Sequence, residues 1–195
     1  MSGVGAKPEV SPTPDNRLPS LPLYDPAPMW NARRIIKELA DSDRRRRILV
    51  AFWRFGDDTT KTIAIAQLAK TLHFREESIR KMPVEKKADL FASRAAGPEY
   101  EQALDAALMQ YHTHEQSALL AAFLDQWKIP HVNGSIEVDD YAAPSVDQVR
   151  AAVGALDTFP PRDVAIYLAS AGLLMGDDWR AATWPVVDEM APGLT

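Results

Sequence analysis

The chain has 195 residues, no cysteine, and apolar and charged fractions of 46% and 25%, which are ordinary globular values. Lack of cysteine excludes disulfides, thiolate metal sites and a cysteine nucleophile together. No apolar run reaches the ~18 residues of a membrane span, and Met1–Ser20 has no apolar leader core, so a cytoplasmic protein is expected.

The net charge of −5 is unevenly spread. Residues 31–100 carry 16 Lys/Arg against 10 Asp/Glu (+6), residues 101–195 carry 4 against 14 (−10), and the first 30 add −1. A basic front half can meet an acidic partner, or the two halves can complement each other within one molecule.

In chain order, the first 28 residues hold seven prolines and little apolar material, which predicts a disordered or polyproline tail. Its one apolar cluster is Leu18–Tyr24. Trp30, Ile35, Ile36 and Leu39 mark a first short helix. Asp41 or Ser42 then caps a second with Ile48, Leu49, Phe52, Trp53 and Phe55 on a wide apolar face. Gly56 ends it, and Asp58 or Thr59 opens a third through Leu72. A short segment at Glu76–Met82 follows, and Pro83 starts another helix to about Arg94.

After Gly97-Pro98, Leu104, Ala107, Leu108 and Tyr111 share one face, and a break near His112–Glu115 leads to Leu119, Phe123 and Trp127. Residues 128–141, with Pro130, Asn133-Gly134, Glu137, Asp139 and Asp140, read as an exposed loop. Ser145 caps a helix through Leu156, Pro160-Pro161 opens another through Leu174, and a short helix bearing Trp179, Trp184 and Val187 closes the chain. Essentially no sheet is predicted. Apolar positions also recur with a shift of 45 residues (Leu104 with Val149, Leu119 with Val164), the pattern of two stacked helical hairpins.

Residues Ala64–Met82 resemble a helix-turn-helix motif, with Ala69, His73, Phe74, Ile79 and Met82 at that motif's relative spacings. The resemblance implies a second helix that enters a DNA major groove and offers Arg75, Arg80 and Lys81 to phosphates or bases. This sequence departs from the motif in three ways. His73 stands where glycine is favoured, Glu76 and Glu77 would face the DNA, and Pro83 shortens the second helix. The run Arg44–Arg47 spreads around a helix and reads as ion-pairing to Asp41, Asp43 or the acidic half rather than as one basic stripe.

His112, Glu115 and His131 are the candidates for a metal-dependent hydrolase, although the paired Glu-x-x-His motifs of helical metal sites are absent. Trp179 and Trp184 beside Tyr167 have the look of a ligand box, but aromatics at helical spacing are read as core. The expectation is an all-α, compact array of short helices: a disordered tail over 1–28 and one domain over 29–195, divisible into a basic part (29–97) and an acidic part (98–195). It has no catalytic constellation, cofactor or metal set. The leading functional expectation is a non-enzymatic interaction or scaffold protein whose protein partner meets the basic half or the tail. A DNA-binding regulator and a metal-dependent hydrolase are the alternatives.

Overall fold

A computed structural model describes residues 29–94, 97–136 and 141–194. The tail expected over 1–28 and the acidic residues 137–140 lie outside the described residues. The rest is all-α apart from one small hairpin, and no described helix is long and apolar enough to cross a membrane.

Asn31 opens α1 (Ala32–Arg34) by accepting the Arg34 N–H, and the chain continues as a π-helical turn, Ile35–Leu39, that buries Ile35, Ile36 and Leu39. Asp41 caps α2 (Ser42–Phe55), whose Ile48, Leu49, Phe52 and Trp53 are buried. Asp57, one residue before the predicted cap, opens α3 (Asp58–Leu72). Then come α4 (Glu76–Arg80) and α5 (Val84–Ala92), the latter entered through Pro83.

A 3-10 turn at Pro98–Tyr100 leads into α6 (Glu101–Glu115) and α7 (Ser117–Gln126). The segment predicted as an irregular loop instead forms an antiparallel hairpin, β1 (His131–Val132) and β2 (Ser135–Ile136). Asn133 and Gly134 supply the two positive φ angles its turn requires. Strands this short show no alternation in the sequence.

A full capping box between Ser145 and Gln148 starts α8 (Val146–Ala155), and Pro161 occupies the first turn of α9 (Pro161–Leu174). The last helix, α10 (Asp177–Met190), carries Trp179, Trp184 and Val187 as predicted and holds Pro185 inside it without ending there. Packing wins over the ~3 kcal/mol that an interior proline costs. Trp179, Ala182, Val186 and Val187 are buried, and Gly172 of α9 lets α10 approach so closely that a Cβ there would lie 2.4 Å from the Trp184 ring nitrogen. The two stacked hairpins suggested by the 45-residue echo are not formed, since α8 packs chiefly on α10.

The buried face of α6 is the axis of the molecule, with α2 packed along it and α9 also against it. The basic and acidic halves are joined across this axis. Arg44 of α2 grips Asp163 of α9 with Nε 2.6 Å from Oδ1 and Nη2 3.2 Å from Oδ2, and its Nη1 is 2.6 Å from Asp41. The Asp163 side chain is only 7% exposed. Its hydrogen bonds to Arg44 push the guanidinium pKa further above its already high value. Arg47 pairs with Glu115, Arg46 with Asp89, and Arg45 reaches the carbonyls of Ile36, Lys37 and Ala40. Four consecutive arginines thus serve different neighbours, as their spread around a helix requires.

Removing one member of a buried pair strands the other charge. Arg44→Ala leaves the nearly buried Asp163 carboxylate unpaired and is expected to lower unfolding stability in urea by about 3 kcal/mol, whereas the double replacement Arg44→Met with Asp163→Leu recovers most of that loss. A single-variant loss below about 0.5 kcal/mol, the usual size of a neutral surface change, would contradict this role.

Candidate functional site

The C-terminal halves of α6 and α9, the start of α10, α7 and the hairpin enclose a cavity of about 380 Å³. Its apolar lining includes Leu120, Leu124, Ile136, Ala171 and Leu174, and the rings of Tyr141, Tyr167 and Trp179 complete the wall. Met109, Leu174 and Met175 line it too, and at 47%, 40% and 38% exposure they are among the large apolar side chains left open to solvent. Polar groups enter from His112, Thr113, Ser135 and Ser170. None of the described lining residues is Lys, Arg, Asp or Glu.

The deepest polar pair is His112 and Ser170. The Ser170 hydroxyl donates back to the Ile166 carbonyl at 2.7 Å and lies 3.1 Å from His112 Nε2. Because a hydroxyl has one proton to give, His112 Nε2 carries the hydrogen and donates to Ser170. Nδ1 is then a bare acceptor, buried and without a partner among the described residues. Burial pushes the imidazole pKa down to about 4, against a smaller upward pull from the Asp163 carboxylate. The Tyr167 ring lies 5.5 Å from that of His112, and burial raises its hydroxyl pKa well above the ordinary value.

This polarity is the reverse of a nucleophile–base pair, in which the serine proton must pass to the imidazole. The partnerless Nδ1 also means that no carboxylate orients the ring. The other two residues of the expected hydrolase site are engaged elsewhere. Glu115 pairs with Arg47. His131 locks the hairpin, with Nδ1 accepting the Gly134 N–H at 3.1 Å and Nε2 donating to Asp125 at 3.1 Å. Among the described residues, no three His, Asp or Glu side chains converge as metal ligands.

The helix-turn-helix-like segment is built as its spacing implies in one respect. His73 takes the left-handed conformation (φ 55°) at the end of α3, and Ala69 and Ile79 are buried. Arg75 precedes α4 as its N-terminal cap position, and Arg80 and Lys81 are exposed at its end. However, α4 has only five residues, and Arg80 and Lys81 lie 3.9 and 3.1 Å from Glu76 and Glu77 of the same turn. The structure therefore brings the three cations onto one short element but sets two of them against its own carboxylates.

Two further depressions have different chemistry. Arg33, Lys37 and Arg45 surround an apolar floor of Ile36, Leu49 and Leu104, and a shallower one runs over Trp127–Pro130 and Tyr141–Pro144. The latter is the larger at about 460 Å³ and holds the buried Trp127 ring nitrogen, whereas the 380 Å³ cavity gathers the buried His112 and Ser170 within a wider apolar lining and is the stronger candidate.

The chain matches no protein-family model, and no curated protein or solved structure is similar to it. Its class is therefore defined by the architecture alone: an all-α domain with a largely apolar cavity, no charged side chain among its described lining residues, beside a buried histidine–serine pair.

The buried neutral histidine has a pH signature. The unfolded chain takes up the His112 proton near pH 6.5, whereas the folded protein resists it until about pH 4. The contribution is constant above pH 6.5, and stability falls as pH drops through that window by on the order of 3 kcal/mol. Comparing urea unfolding of the native protein and His112→Asn between pH 7 and 4.5 isolates this slope; parallel profiles would contradict it.

Proposed function

We propose that this protein is a non-enzymatic binding protein that holds a small, mainly apolar molecule in the cavity between α6, α9 and the hairpin. The observation that carries this reading is a well-formed apolar cavity with methionine and leucine side chains left exposed at its lining. Interiors are normally packed to crystal density, so a space of this size walled by rings and methyl groups is the form of a ligand site. Flexible thioethers such as Met109 and Met175 can adapt to a ligand at little cost. The direction of the His112–Ser170 hydrogen bond argues against acyl-transfer chemistry at the same place.

The ligand in this reading differs from the protein partner expected from the charge asymmetry. Much of that asymmetry is met internally, by Arg33 with Glu101, Arg44 with Asp163 and Arg47 with Glu115.

Ala171 is nearly buried on the cavity-facing side of α9. Ala171→Phe should fill the space and weaken binding of the uncharged fluorescent probe N-phenyl-1-naphthylamine by at least about tenfold, with the cooperative melt retained. Equal affinity in a folded variant would place the binding elsewhere.

A further inference from the structure

The cavity has a chemical bias that narrows its ligand, an inference that rests on the binding role proposed above. Three features define it. First, none of the described lining residues is ionised, while the cationic depression of Arg33, Lys37 and Arg45 is a separate feature with no shared residue. A carboxylate or phosphate entering the cavity would give up its water with no counter-charge from the described lining residues, a penalty of several kcal/mol.

Second, the hydrogen-bonding capacity of one wall is unspent. The Tyr167 hydroxyl makes no hydrogen bond to any described residue, whereas the neighbouring His112 Nδ1 has essentially no accessible surface and lies behind the wall. The rings of these two residues lie 5.5 Å apart. A ligand group that pairs with the Tyr167 hydroxyl gains a hydrogen bond in a site largely withdrawn from water.

Third, the remaining surface is aromatic as well as aliphatic. Tyr141 and Trp179 meet edge to face at 6.0 Å, and Trp127 packs on Trp179 at 5.3 Å. Ring faces and edges of this kind, next to methionine sulfur, favour another ring over an extended chain.

We infer that the cavity binds an uncharged ring compound carrying a hydroxyl group, with the hydroxyl directed to the Tyr167 O–H and the ring against Tyr141, Trp179 and the methionines. Amphiphilic anions such as fatty acids are excluded as occupants. A hydroxyl is suited to this wall because it can either accept from the Tyr167 O–H or donate to its oxygen.

The test uses the full chain and four probes, 2-naphthol, naphthalene, 2-naphthoate and decan-1-ol, titrated at pH 7 with calorimetric or tryptophan-fluorescence detection. The expected order places 2-naphthol about tenfold tighter than naphthalene, the size of one buried hydrogen bond. Decan-1-ol falls below naphthalene, and 2-naphthoate is at least about a hundredfold weaker than 2-naphthol. In Tyr167→Phe the advantage of 2-naphthol over naphthalene shrinks to about threefold or less, while naphthalene itself binds as before and so reports that the cavity is intact. Binding of 2-naphthoate or decan-1-ol as tight as that of 2-naphthol overturns the inference but leaves the cavity as a ligand site. If none of the four binds, the inference and the binding role fail together.

Discussion

The bidentate contact between Arg44 and Asp163 is the constraint on which the rest of the molecule depends. It ties the second helix of the basic half to the ninth helix of the acidic half, across α6, and it does so with a carboxylate that is almost fully withdrawn from water. A charge so placed cannot be left alone, so the position of Asp163 is fixed relative to α2 as long as the protein is folded. From that fixed point the face of α9 can be followed upward. Asp163, Tyr167, Ser170 and Leu174 recur at helical spacing, and they are in turn the ion pair, a cavity wall, the partner of His112 and an exposed cavity-lining residue.

This arrangement explains why the polar groups of the cavity are uncharged. The one carboxylate near His112 is already committed to Arg44, and it pulls the imidazole pKa upward less than burial drives it down. His112 therefore stays neutral, and its hydrogen bond to Ser170 has a fixed direction. The hairpin forms another wall, held by His131 between Asp125 and the Gly134 N–H. Gly134 is required there twice over, by its positive φ and because a Cβ would lie 2.8 Å from the Leu120 side chain.

The helices were legible in the sequence because caps and periodicity act locally. Asp41, Ser145 and Pro161 open the helices they were expected to open, and the apolar faces of α2 and α6 are the buried ones except for Phe55, which is left exposed at the end of α2. The departure comes from tertiary contact overriding a local signal. Residues 131–136 read as loop but pair as a hairpin whose turn N–H, that of Gly134, is held by His131. The cavity was only half visible. Tyr167 and Trp179 stood out as a ligand box and were assigned to the core, and they are in fact both buried and cavity-lining. Ser170, Met109 and Met175 gave no signal, since what matters is the meeting of α6 and α9, and no spacing within either helix encodes it. His112 was singled out correctly as unusual, but its partner was to be Ser170 rather than Glu115 or His131.

Methionine-methyl NMR offers the most direct examination of the central claim that this cavity is where the protein binds its ligand. Of the six methionines, Met109 and Met175 line the cavity, whereas Met1, Met29, Met82 and Met190 do not belong to its described lining. With 13C-methyl labelling and saturating 2-naphthol, the account predicts that the Met109 and Met175 signals shift while the other four stay in place. Unmoved Met109 and Met175 signals alongside demonstrated binding would contradict it.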